Sequence, residues 1–262
     1  MSRTINAALG AAVGAGFLYQ RRLRTRSERL SAATMETLLN AIDANDAQTG
    51  AHVRRVATYA QILAEAAGFD EHTLRSIERV ALFHDIGKLH EALFDIFHEE
   101  SKLTPQERRA VRTHPDRGEA VLDPLTAFYP DLGAGVRSHH EKWNGSGYPR
   151  QLKGRRIPLA ARVVAIADSF DAITHRRRYS AGRSFTEAVE AIADGRGTQF
   201  DPELVDLFLT PPVLAAVEHA MREAHSPKRK KKGNRRKREN HPAPDVEFRW
   251  RTKTKKKPAR DR

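Results

Sequence analysis

No cysteine occurs anywhere in the chain. A disulfide framework is therefore excluded, and so is a zinc-thiolate site. Any metal centre has to be built from His, Asp and Glu, a donor set that suits iron, manganese and other hard-to-borderline ions. Strand-like alternation is nearly absent as well. The one β-branched cluster, "RVVAIA" at 162–167, has flanks that continue a helical pattern, so little is left to build a sheet. Membrane-length apolar runs are missing too. The run from Ile5 to Tyr19 is 15 residues long and contains Asn6. As a helix it reaches about 22 Å, short of the roughly 30 Å hydrocarbon core. Arginines follow it ("RRLRTR") instead of preceding it, the reverse of a secretory signal. Two readings stay open for residues 5–19. One is a peripheral helix. The other is a tether to the inner membrane that keeps the body on the cytoplasmic side.

Acidic residues are scarce only at one end. From Ser226 onward there are 17 Lys/Arg and 4 Asp/Glu, which accounts for the whole formal charge of +13 and leaves residues 1–225 neutral. A segment of this composition cannot bury a core and is expected to be disordered. Its aromatic-basic "VEFRWR" and lysine runs suit nucleic acid or an anionic membrane surface, or serve solubility alone. The expected organisation is an apolar segment and basic linker over 1–30, a helical domain over 31–225, and a basic tail over 226–262.

Within the middle segment the apolar period is that of helices. Leu38, Leu39 and Ile42 share a face, as do Val53, Val56, Ala57, Ala60 and Leu63. Thr104-Pro105-Gln106-Glu107 and Ser184-Phe185-Thr186-Glu187 read as capping boxes. Asp201-Pro202 and Thr210-Pro211 place a cap before a proline at the first helical position. The fold class expected is all-α.

Polar residues that break these apolar runs are the candidates for chemistry. His84 and Asp85 directly follow Val80, Ala81, Leu82 and Phe83, and Asp168 interrupts "VVAIADSFDA". A buried carboxylate is costly unless paired or bound to a cation. Asp85 has two oxygens and suits a bridge between two ions about 4 Å apart, the spacing that serves in-line phosphoryl displacement. Lys88 stands four positions after His84, which on a continuous helix gives both the same face. It has no lone pair while protonated, so it suits a phosphate oxygen and not the metal. "HHEKWNGSGYP" at 139–149 adds adjacent histidines that run into a glycine-rich turn.

The ordered series His52, His84-Asp85, Gly87-Lys88, His114, His139-His140-Glu141, Gly147-Tyr148-Pro149 and Asp168 resembles the HD-GYP branch of the HD phosphohydrolase superfamily. "DAQTGAH", "RRIPLAARVVAIADSFDAIT", "RRRY" and "GTQFDPELV" extend the resemblance over about 35–207. It implies an all-α HD-type bundle with a dinuclear site. His52, His84, Asp85 and Asp168 would hold one ion. Asp85 would bridge to a second, held by His114, His139 and His140. Lys88, Gly147, Tyr148 and Arg177 would meet the substrate, with Lys88 and Asp85 as the catalytic residues. The activity implied is metal-dependent hydrolysis of cyclic di-GMP to pGpG and on to GMP, with Fe or Mn as the metal, in a cytoplasmic domain.

Three positions depart from that pattern. Gln48 replaces a glutamate that supports a third ion, so two are expected. Asn144 replaces an aspartate but can still cap its turn. Ser180 replaces a basic residue. Rival readings are a cyclic-dinucleotide sensor without turnover, an HD phosphohydrolase acting on RNA or another nucleotide, and a membrane-surface adaptor that uses both termini.

Overall fold

The computed structural model describes residues 27–89, 104–175 and 182–225. All of them up to His225 fall in one compact unit. Residues 5–19, Arg177, Ser180 and the tail from Ser226 lie outside the described residues. The architecture is helical. Among the described residues no strand forms, apart from a single bridge between Arg196 and Phe200.

Helix α1 covers residues 27–45, so 27–30 are helical instead of linker. Met35, Leu39 and Ile42 face inward at 3% exposure or less, while Leu38 is half-buried. Helix α2 (Ala47–Ala66) starts at Asp46, whose carboxylate accepts from the Gln48 and Thr49 amides. It buries Val53, Val56, Tyr59, Ala60 and Leu63. Each such Val or Leu is worth about 1.5–3 kcal/mol. Helix α3 (Glu71–Phe83) packs against α2 and brings Ile77, Val80, Leu82 and Phe83 into the core. After α3 the chain tightens into a 3₁₀ turn, Ile86–Leu89.

Helix α4 (Pro105–Val111) opens on the Thr104–Glu107 capping box, with both reciprocal bonds present. Helix α5 (His114–Leu122) packs on the 3₁₀ turn and on α6 (Leu132–Arg137). Helix α7 (Leu159–Thr174) carries the β-branched cluster and lies against both α2 and α3. Val163, Val164, Ile166 and Phe170 are fully buried there, so core packing overrides the strand preference of β-branched residues. Helix α8 (Phe185–Asp194) opens on the Ser184–Glu187 capping box. Helices α9 (Pro202–Phe208) and α10 (Pro211–His225) each carry proline at the first position. Among the described residues no single helix is long and apolar enough to cross a membrane.

Candidate metal centre

The ends of α3, α5 and α6 and the middles of α2 and α7 meet at one place. His84 caps α3, His114 begins α5, and His139 and His140 follow the end of α6. His52 projects from α2 and Asp168 from α7. Their ligand atoms form two groups, His114/His139/His140 and His52/His84/Asp168, each with its atoms within 4.8 Å of one another.

Asp85 stands between the groups. Its Oδ1 lies 3.4 Å from His114 Nε2 and 3.9 Å from His139 Nε2. Its Oδ2 lies 3.5 Å from His84 Nε2 and 3.7 Å from His52 Nε2. One carboxylate oxygen thus serves each side.

Three of the histidines are oriented in the same way. Nδ1 of His84, His114 and His139 meets the carbonyl three residues earlier, Ala81, Val111 and Val136, at 2.8, 2.7 and 2.6 Å. A carbonyl only accepts, so Nδ1 carries a proton, and in the neutral ring Nε2 is left with the lone pair. Nε2 of His114 and of His139 then face each other at 3.1 Å with no proton to share. His84 Nε2 and Asp85 Oδ1 are buried without any hydrogen-bond partner. Converging lone pairs in a dry interior repel, and a cation reconciles them. The donor set fits a divalent metal ion.

Sequence comparison decides the family. A family model described as HD domain matches residues 36–204. The chain belongs to the HD domain family. Within it the chain carries the ordered HD-GYP residues. This HD domain is 37% identical over 174 residues to the 3'3'-cGAMP-specific phosphodiesterase 2 of Vibrio cholerae, covering 66% of this chain and 33% of that protein. It is 38% identical over 166 residues to a cyclic di-GMP phosphodiesterase of Thermotoga maritima, covering 63% and 45%. The chain spans less than half the length of these curated relatives. A crystal structure of a cyclic GMP-AMP specific phosphodiesterase of V. cholerae superposes with a TM-score of 0.52 at 24% identity, over 72% of this chain and 52% of that one. That likeness is one of fold.

The electrostatics of the HD domain separate floor from rim. His84, His114, His139 and Asp85 are buried, whereas the Asp168 and Lys88 side chains are 19% and 25% exposed. Burial holds His114 down at about 4 and His140 at about 3, and His139 well below its usual range. These rings stay neutral and available as ligands at pH 7. Burial would raise the Asp85 carboxyl, but the Lys88 ammonium at 2.6 Å outweighs it and holds the group well below the usual range. Burial would also lower His52, yet the Asp168 and Asp171 carboxylates beside it push it up to about 9.

Lys88 is not placed by a continuous helix. The helix ends at Phe83 and the 3₁₀ turn follows, so Lys88 lines up with Asp85 at i+3 and pairs with it. Gly147 is buried. A Cβ there would lie 2.3 Å from the Lys142 amide and 2.5 Å from Glu141 Cα. Tyr148 stacks on His140 at 4.8 Å between centroids and 28° between planes. Burial, with Asp85 nearby, raises its hydroxyl above the usual tyrosine range, so the hydroxyl keeps its proton. Asn144 caps its turn by accepting from the Ser146 amide at 2.9 Å. Glu141 accepts from the Arg150 and Leu152 amides at 2.7 and 3.0 Å. These bonds hold the loop closed beside His139 and His140. The Trp143 and Asn144 amides add bonds to the carbonyls of Gln199 and Thr198.

Sequence reading missed Asp171. It is 1% exposed and accepts from His52 Nδ1 at 2.7 Å, from Arg55 Nε and Nη2 at 2.7 and 2.9 Å, and contacts His175 Nδ1 at 3.0 Å. The spacing held a signal, since Asp168/Asp171 and His52/Arg55 are both i,i+3 pairs that share helix faces. The carbonyl partners of the other histidines carry no side-chain signal at all.

Two outcomes follow for metal binding. A proton on His52 competes with the ion below pH 9, so affinity is expected to rise by up to about tenfold per pH unit from 7 toward 9 and then level off. Calorimetry in buffers of different ionisation enthalpy checks this through release of about one proton at pH 7. Asp171→Asn keeps the volume but removes the charge that orients His52. Its metal affinity is expected to fall about 10–100-fold, read by competition with a chelator.

Proposed function

We propose that this HD domain is a metal-dependent phosphodiesterase of cyclic dinucleotides that opens cyclic di-GMP to pGpG and proceeds to GMP. The observation that carries the reading is Asp85, one carboxylate with an oxygen toward each of two histidine groups. His52, His84 and Asp168 would hold one ion and His114, His139 and His140 the other, with Asp85 common to both. Two such ions supply Lewis-acid stabilisation of charge on the phosphoryl oxygens and make water more acidic. Iron or manganese fits a donor set of imidazole and carboxylate without thiolate.

The chain's own groups do the rest. The three Nδ1–carbonyl bonds and Asp171 hold the imidazoles in one tautomer and orientation, so no reorganisation is needed during the reaction. Lys88 presents an ammonium at the rim, where a phosphate oxygen arrives, and keeps Asp85 ionised. The Tyr148 hydroxyl, still protonated, can donate a hydrogen bond at the same rim. The relatives include both cyclic di-GMP and 3'3'-cGAMP phosphodiesterases, which supports the cyclic-dinucleotide class. In the same reading, the domain works in the cytoplasm, and the tail from Ser226 holds polyanions without choosing the substrate.

The test is turnover of cyclic di-GMP by anaerobically purified protein reconstituted with Fe(II) or Mn(II). Linear dinucleotide is the expected product. Ligand bound but left intact by fully metallated protein would make the chain a sensor and end the proposal. Deleting 226–262 is expected to leave cyclic-dinucleotide turnover within about twofold, while a tail-guided enzyme would lose activity on RNA.

A further inference from the structure

The rim of the centre holds a cation that the mechanism above leaves unused. Arg112 follows the last turn of α4, two residues before His114, and is exposed. Its guanidinium carbon lies 5.0 Å from the centroid of the Tyr148 ring. That ring in turn stacks on His140. Three other described arginines near the site are engaged. Arg55 pairs with Asp171, Arg137 with Asp116 and Glu119, and Arg150 bonds Ser138 Oγ at 3.0 Å. Among the described residues no carboxylate pairs with Arg112.

An exposed arginine with only an aromatic ring for company keeps most of its N–H fork open. Its charge lies one aromatic ring away from a ligand of the metal centre. Lys88, the other rim cation, is paired with Asp85 at 2.6 Å. A cyclic dinucleotide brings two phosphodiesters. One must reach the ions and Lys88 to be cut. The second then sits at a distance from them, still charged, and needs a separate partner. A planar fork that makes paired bonds to phosphate oxygens meets that need.

Resting on the function proposed above, we infer that Arg112 grips the phosphodiester that is not being cut, with Tyr148 as the spacer between this anion site and the metal centre. Arg112 is a specificity-determining residue for substrates that carry two phosphates. A single-phosphate diester such as bis(p-nitrophenyl) phosphate would reach the ions without meeting it.

The experiment compares Arg112→Ala and Arg112→Lys with the parent protein on cyclic di-GMP and on bis(p-nitrophenyl) phosphate, at equal metal content. For Arg112→Ala, KM for the dinucleotide is expected to rise about 10–100-fold, with kcat changed less than threefold, the scale of a lost charged hydrogen bond. The loss in kcat/KM is expected to be at least tenfold larger on the dinucleotide than on the single-phosphate diester. Arg112→Lys should recover part of KM through its charge but not all of it, since the fork is gone. Equal losses on both substrates would overturn the inference, because Arg112 would then act at the cut phosphate or on the fold. No change in KM would overturn it as well. Failure of the parent protein to hydrolyse the dinucleotide is a separate outcome, and it defeats the function proposal and this inference together.

Discussion

Asp85→Asn is expected to strip the centre of metal and to lower turnover at least about 100–1,000-fold, the scale lost with one preorganised electrostatic group. The carboxylate offers one oxygen toward His114 and His139 and the other toward His84 and His52. An amide offers only one oxygen, and it is neutral. Its NH₂ group would point a donor at one set of imidazole lone pairs and satisfy them without an ion. Lys88 would lose the charged partner it holds at 2.6 Å. Metal analysis of the purified variant, with kinetics on the same sample, checks this. Retention of both the metal-to-protein ratio and kcat would mean that Asp85 is not the shared ligand.

Gly87→Ala is expected to damage both the fold and the metal centre. A Cβ at this position would lie 2.0 Å from the His114 carbonyl oxygen and 2.7 Å from the Gly118 amide. Both are backbone atoms of α5, so relief requires moving the helix that carries His114. Overpacking of this kind costs about 1–3 kcal/mol or more. For a domain of this size each kcal/mol lowers Tm by about 2–4 °C. The larger consequence is at the centre, because α5 and the 3₁₀ turn set the 3.4 Å approach of His114 Nε2 to Asp85 Oδ1. Metal affinity is therefore expected to fall together with Tm. Gly133→Ala is the control. Its Cβ would meet only the Glu119 side chain, Cγ at 3.4 Å and Oε1 at 4.0 Å, and alanine favours the helix. A thermal melt and a chelator titration on both variants give the comparison. Equal behaviour of the two would remove the junction argument.

Much of this molecule was legible along the chain. Helix starts were readable because capping is local. Thr104 and Glu107, Ser184 and Glu187, and Asp201 before Pro202 each act within one turn of themselves. The all-α class followed from the apolar period together with the near absence of alternating runs. Candidate ligands were readable because a histidine or carboxylate embedded in an apolar run has to find a partner. The absence of cysteine restricted that partner's chemistry before any geometry was known.

Other features belong to the folded state alone. The end of α3 at Phe83 turned Lys88 from a companion of His84 into a partner of Asp85. The packing of Gly87 on α5 makes that turn tight, and it involves residues 27 or more positions away. Glu141 meets the backbone amides of Arg150 and Leu152 because the 139–152 loop folds back on itself. Asp171 reaches His52 across 119 positions, and the carbonyls of Ala81, Val111 and Val136 have no identity in the sequence to read. Residue types and their order along the chain determined which chemistry was available. Which lone pairs converge, and which cation stands unpaired at the rim, depends on long-range packing, because a site drawn from five helices exists only when those helices meet.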